Sequence, residues 1–183
     1  AAARGYATLD DILQIPAQKG EVPLYLVLDG VEDPRNLGAI LRTAETAGVH
    51  GVVIPERRAA GLTESVAKSS AGALEYVPVV KVVNIVHTLD EFKRAGLWVA
   101  GAEAGGDRLY WDADFTGPTV LVVGGEDRGV RRLVRERCDY IVSLPLKGRI
   151  SSLNVSVAAG VLLYEVLRQR ALNSRTFPKF SSE

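Results

Sequence analysis

Five short apolar runs recur along this chain with helix-patterned stretches between most of them, and none alternates polar with apolar residues. They are Tyr25-Leu-Val-Leu28, Gly51-Val-Val-Ile54, residues 97–100, Thr119-Val-Leu-Val-Val123 and Tyr140-Ile-Val-Ser-Leu144. A sixth β-rich run, 76–83, is interrupted by Pro78. Strands that are apolar on both sides need cover on both faces, which is the signature of a parallel sheet sandwiched by helices. The stretches between supply those helices. Residues 37–47 carry helical spacing, with Asp33-Pro34 as the entry and Gly48 as the stop. Further helices are predicted over 63–70, 84–95, 130–136 and 153–170, with Thr88 and Glu91 at capping-box spacing inside the second. The expected fold class is therefore α/β, a mostly parallel sheet flanked by helices.

With 183 residues, 47% of them apolar, the chain suits one domain with a full core. Its 22 basic and 22 acidic residues cancel, so no global field draws it to nucleic acid or membrane, and contact with a polyanion must come from local clusters. Those clusters are Arg57-Arg58, the stretch 128–137, Lys147 to Arg149, and Arg35 with Arg42. A solvated helix face accounts for Arg131, Arg132, Arg135 and Arg137 more cheaply than a binding role. Cys138 is alone, which excludes an internal disulfide and fits a reducing, cytoplasmic setting. His50 and His87 lack the spacing of zinc ligands and read as structural or surface residues, so no metal site is expected. No apolar run approaches the ~18 residues of a membrane span. Methionine is absent, so the chain is expected to be a processed product or a fragment. Residues 1–22 are expected to be a linker or edge element, with Thr8 and Asp11 at the start of one weak helical patch. Residues 23–171 form the main domain, and 172–183 a flexible tail.

Three polar loops follow apolar strands, where ligands bind in open α/β sheets. The first holds Asn36 and Arg42 near one helix start, with Glu45 placed for an ordinary surface ion pair with Arg42. The second is Val123-Gly-Gly-Glu-Asp-Arg-Gly-Val130, in which Gly124, Gly125 and Gly129 permit close backbone approach around Glu126. It is neither a dinucleotide fingerprint nor a P-loop, and it has no nucleophile elbow. The third, Leu144-Pro-Leu-Lys-Gly-Arg-Ile-Ser-Ser-Leu-Asn-Val-Ser156, packs two cations and several polar residues into the entry of the last helix. Ser151, Ser152 or Asn154 could cap that helix, but one cap needs only one of them.

Together the three loops resemble the motifs of the SpoU (TrmH-like) family of RNA ribose 2′-O-methyltransferases, of the SPOUT class, over roughly Pro23 to Arg170. The first motif is matched by Asn36 through Arg42, the second by Gly124 through Gly129, the third by Leu144 through Ser156. The resemblance implies a C-terminal trefoil knot, a homodimer, and S-adenosylmethionine bound between the second and third loops. By motif position Gly124, Leu144 and Leu153 are the principal cofactor contacts, with Val123, Gly125, Pro145, Leu146 and Ser152 lining the same pocket. A dry slot with backbone donors and acceptors suits an uncharged adenine.

A ribose hydroxyl is not ionised at neutral pH, so transfer to it needs a base or a stabilised alkoxide. The resemblance puts that role on Arg42, acting across the dimer interface. A guanidinium stays charged in proteins, which leaves open a transient base tuned by a substrate phosphate or a cation that stabilises the oxyanion. Asn36, Glu126, Ser152 and Asn154 form the polar frame, although Glu126 could instead hold the loops through backbone hydrogen bonds. Arg35, Arg42, Lys147 and Arg149 are the candidate RNA contacts, the last two also readable as guards of the pocket rim. The runs 28–39, 48–55 and 155–160 resemble most the bacterial enzymes acting on a guanosine of 23S rRNA, and that resemblance implies a missing N-terminal RNA-binding domain of which residues 1–22 would be the linker or remnant. A tRNA guanosine methyltransferase, an antibiotic-resistance rRNA methyltransferase and a catalytically silent RNA-binding module are the alternatives.

Overall fold

The computed structural model describes residues 5–174. Seven strands form one wholly parallel sheet: β1 (Leu24–Asp29), β2 (Gly51–Pro55), β3 (Val79–Val82), β4 (Trp98–Ala102), β5 (Arg108–Leu109), β6 (Thr119–Gly124) and β7 (Tyr140–Ser143). Their spatial order is β3-β2-β1-β6-β4-β7-β5. Six helices cover the faces: α1 (Leu9–Lys19), α2 (Pro34–Thr46), α3 (Glu64–Ser69), α4 (Ile85–Arg94), α5 (Arg132–Arg137) and α6 (Val155–Ser174).

The absence of polar alternation in the central strands has a direct cause. In β1, Leu24, Leu26 and Leu28 face one core, while Tyr25 and Val27 face the other. In β6, Leu121 and Val123 join the first core, and Val120 and Val122 the second. The first core is closed by α2, α3 and α6 and the second by α1, α4 and α5, so both faces are dry. The expected α/β class with a parallel sheet holds.

Residues 9–19, read from the sequence as linker or remnant, belong to the fold. Thr8 and Asp11 form a reciprocal capping box, and Ile12 is fully buried in the second core. Ala7 bridges to Val80 and so covers part of the exposed edge of β3. Residues 1–4 of the expected remnant and 175–183 of the expected tail lie outside the described residues, and α6 runs through 172–174. The cap of α4 is Asn84, which accepts from His87 N–H at 3.1 Å. Thr88, proposed for a cap, instead donates to the Asn84 carbonyl from within the helix. His50 is structural: buried, it accepts the Leu24 N–H on Nδ1 at 3.0 Å.

Behind the sheet, Arg170 ties three segments together. Its guanidinium donates to the carbonyls of Phe115, Val22, Pro23 and Gly117 at 2.9–3.0 Å. Burial without a carboxylate partner pushes its pKa down to about 10. This clamp holds the last helix to the entries of β1 and β6, the two strands whose far ends build the site.

Candidate active site

Connections from β1 lead to α2 on one side and those from β6 lead to α5 on the other, which makes the β1–β6 boundary the switch point of the sheet. The first two polar loops emerge at this boundary, and the third, after β7, faces the second across the end of β4. The loop after β6 folds back on itself, with Gly125 and Gly129 bridged and the Gly129 N–H donating to the Gly125 carbonyl at 3.1 Å. A Cβ on Gly124 would fall 1.9 Å from the Gly129 backbone, and one on Gly125 would fall 1.9 Å from the Gly30 carbonyl oxygen. Both positions therefore exclude any side chain.

Asp29, at the end of β1, fixes this loop from below. Its backbone carbonyl accepts from Gly125 N–H at 3.0 Å, and its buried carboxylate accepts from the N–H and Nε of Arg131 at 2.8 Å each. Sequence reading passed over Asp29. The signal was there: a lone acid ending an otherwise apolar buried strand must have a partner.

Glu126, displayed by that loop, accepts a short hydrogen bond from Asn36 Nδ2 at the start of α2. Asn36 Oδ1 in turn accepts from Asn154 Nδ2 at 3.2 Å. Asn154 Oδ1 caps α6, accepting from the N–H groups of Ser156 at 2.9 Å and Val157 at 3.4 Å. One side chain thus does both things the sequence suggested for this stretch, capping the helix and joining the polar frame. Glu126 links loops through its side chain, to Asn36. Ser152 makes no hydrogen bond to this frame; it lines the adjoining cleft.

That cleft, of about 450 Å³, lies between the second and third loops. Val123, Gly124, Gly125, Leu144, Leu146, Ser152 and Leu153 all line it. Pro145 does not: β7 stops at Ser143, and Pro145 sits exposed in the stretch that follows. Glu103, unforeseen in the sequence, adds a wall and is held by Arg135 at 2.9 Å.

The cations divide sharply. Arg131, Arg132, Arg135 and Arg137 pair with Asp29, Glu136, Glu103 and Asp90, as a solvated and ion-paired helix face requires. Lys147 and Arg149 are exposed and line neither this cleft nor a neighbouring one, and Arg35 lies 3.7 Å from Asp33. Arg42 is exposed on α2, does not reach the cleft of its own chain, and forms no ion pair with Glu45. It lies one turn before Thr46, whose hydroxyl accepts from Tyr164 of α6 at 3.1 Å. On that flank α6 exposes Val157 and Tyr164 at 51% and 50%, opposite its buried Ala159, Leu162 and Val166. Among the described residues no group of three or more His, Cys, Asp or Glu gathers to hold a metal, and no helix is long and apolar enough to cross a membrane.

The model of the SpoU rRNA Methylase family matches residues 23–164, the whole span that carries the three loops. This chain belongs to the SpoU rRNA methylase family. Among its SpoU relatives is a Bacillus subtilis (strain 168) protein, YacO, assigned to the TrmH family of tRNA/rRNA methyltransferases, 50% identical over 92% of this chain and 68% of its own length. The 23S rRNA (guanosine-2′-O-)-methyltransferase RlmB of Pseudomonas syringae pv. tomato is 49% identical over 91% of the chain and 66% of its own length. The chain thus spans about two thirds of the curated SpoU proteins it matches. Among solved SpoU structures, the methyltransferase AviRb from Streptomyces viridochromogenes in complex with AdoMet superposes with a TM-score of 0.75 at 37% identity, covering 81% of this chain and 58% of that one.

Proposed function

We propose that this chain transfers a methyl group from S-adenosylmethionine to a ribose 2′-hydroxyl in structured RNA, with a guanosine of 23S rRNA as the target and the cytoplasm as the setting. The observation that carries this reading is the meeting of two features at the β1–β6 switch point: a cleft with apolar and glycine walls, and the Glu126–Asn36–Asn154 chain at its edge. The cleft fits the cofactor on chemistry. Val123, Leu144 and Leu153 offer apolar walls to an adenine, the glycine-rich loop offers backbone groups, and the volume falls in the range of small-molecule sites. Bound there, S-adenosylmethionine supplies an electrophilic methyl group.

The protein's own residues position the acceptor. Asn36 and Asn154 hold each other and Glu126 in one arrangement, so amide and carboxylate groups are already oriented where the ribose would lie. The developing 2′-oxyanion then needs a fixed positive charge, and a permanently charged guanidinium suits that role better than the role of base. Arg42 cannot supply it to its own cleft. A homodimer joined through the exposed flank of α6 and the neighbouring face of α2 would bring Arg42 of the partner subunit to each site. The apolar residues left uncovered on α6 support this pairing. Insertion of β7 between the earlier strands β4 and β5, with α6 returning to α2, is the chain path a trefoil knot would take.

Incubation with unmodified 23S rRNA and labelled cofactor, followed by nucleoside mass spectrometry, tests the activity. A 2′-O-methylguanosine product is expected; methyl transfer to a base, or only to tRNA, would refute the assigned chemistry or target. A Val157→Glu, Tyr164→Glu variant should sediment as a monomer, retain cofactor affinity and lose transfer. A monomer as active as the unsubstituted protein would sink the composite site.

A further inference from the structure

A second cleft, of about 280 Å³, opens beyond the ends of β1 and β2 and is not used by the chemistry above. Gly125, Glu126, Arg128 and Gly129 line both clefts, so the 124–129 loop is a wall common to the two. Into the second cleft come Arg57 and Arg58 from the loop after β2, and Arg128 and Arg131 from around the loop after β6. Among the described residues no hydrogen bond or ion pair occupies the side chains of Arg57, Arg58 or Arg128. That sets them apart from the arginines of α5, each of which has an acid. Arg58 sits at φ 56°, a left-handed conformation uncommon for a residue other than glycine.

The acids of this cleft do not cancel the free cations. Asp29 is fully engaged by Arg131, and Glu126 is held by Asn36. Glu32 and Asp127 remain, both exposed, against three free guanidinium groups. Arginine forks fit the oxygens of a phosphodiester, and exposed carboxylates beside them suit the N–H edge of a base while discouraging an indiscriminate polyanion. A ribose seated against Asn36, Glu126 and Asn154 rests on Glu126, a residue that also lines this cleft, and its phosphodiester is joined directly to the sugar.

We propose that the arginine cleft is an RNA-backbone subsite, in which Arg57, Arg58 and Arg128 take the phosphodiester adjoining the methylated ribose. The proposal rests on the RNA-methylation reading and adds to it the place where the strand is gripped. An Arg57→Gln, Arg58→Gly variant tests it, because glycine removes the guanidinium while accepting the left-handed backbone. Binding of a 23S rRNA fragment is measured against salt concentration, alongside steady-state kinetics and cofactor calorimetry. The KM for RNA should rise roughly tenfold, and the slope of log affinity against log salt should fall by about one to two, with kcat at saturating RNA and cofactor affinity retained. Arg57→Lys, which keeps the charge, should restore part of the slope in the Arg58→Gly background. Arg132→Ala, removing a paired charge on α5, serves as the control and should shift neither. An unchanged slope and KM in the double variant would overturn the subsite, as would a loss confined to kcat or to cofactor affinity. RNA binding is read separately from transfer, so an unsubstituted protein that binds RNA but transfers no methyl group would overturn the enzymatic reading, while the subsite stands or falls on the slope.

Discussion

Asn154 carries two separable jobs, and two substitutions pull them apart. Its Oδ1 caps α6 through Ser156 and Val157, and its Nδ2 donates to Asn36. Asn154→Ala removes both. Loss of an N-cap costs about 1 kcal/mol, and loss of the bond to Asn36 roughly 0.5–1, the low end because the pair is exposed. The sum, about 1.5–2 kcal/mol, lowers Tm by roughly 3–8 °C in a protein of this size. Asn154→Ser keeps an equally good cap but has no amide to reach Asn36. It should lose only about 0.5–1 kcal/mol and 1–4 °C. Activity should behave differently, with both variants losing most methyl transfer because each releases Asn36 and, through it, Glu126. Urea titration with calorimetry and a single-turnover transfer assay give the two readings. A serine variant as unstable as the alanine variant would show that the cap is not what Asn154 contributes to stability. A serine variant with full activity would refute the claim that the Asn154–Asn36 tie sets the site.

Arg42→Ala should abolish transfer while leaving cofactor affinity nearly unchanged, whereas Leu153→Arg should block cofactor binding by placing a charge in the apolar cleft; equal loss of affinity in the two, by calorimetry, contradicts that division. Arg170→Met leaves four backbone carbonyls without their donor and should cost about 3–5 kcal/mol in urea unfolding; a cost below about 1 would mean that water replaces the clamp. Burial holds the His50 pKa below its ordinary 6.5, despite Glu21 at 3.4 Å, so the unfolded chain takes up this proton before the folded one does. The stability linked to His50 is therefore complete above pH 6.5 and is lost as pH falls through the lowered folded value, and His50→Gln should flatten that part of the stability profile.

What could be read in the sequence was whatever depends on neighbours along the chain. Two-sided apolar strands such as 119–123 announced a sandwiched parallel sheet because their burial on both faces requires it. Seven of the residues that line the cleft of about 450 Å³ were placed through the resemblance of the three loops to the family's motifs, and a strand end in a parallel sheet opens onto one edge. Pairings between distant segments were not visible. Nothing local says that Asp29 meets Arg131, or that Glu103 meets Arg135, because such partners are chosen by the strand order β1-β6-β4-β7. The expectation of a linker over 1–22 missed the packing of 9–19 for a related reason: two buried residues, Ile12 and Pro16, and a capping box suffice to dock a helix once a sheet is there to receive it. Under the proposed dimer the same limit would apply to Arg42 between molecules, since a residue that serves another copy leaves no mark in its own fold except exposure.

The loop 124–129 explains why so much of the site converges. Gly124 and Gly125 are pressed against Gly129 and Gly30 so closely that no side chain fits, and Asp29 ties both ends of the loop to the end of β1. The loop therefore has one position relative to the sheet. Glu126 inherits that position, Asn36 is fixed by Glu126, and Asn154 is fixed by Asn36 and by the helix it caps. Orientation among these three side chains is thus set by the protein's own contacts, which is what preorganisation requires. It follows that Gly125→Ala should damage both clefts at once. The methyl added at 125 meets the Gly30 carbonyl and must push the loop away from β1, so cofactor affinity and RNA affinity should fall together, whereas Asn36→Ala, which leaves the loop anchored, should spare the cofactor. Retained cofactor affinity in Gly125→Ala would show that the loop is not the common frame of the two clefts.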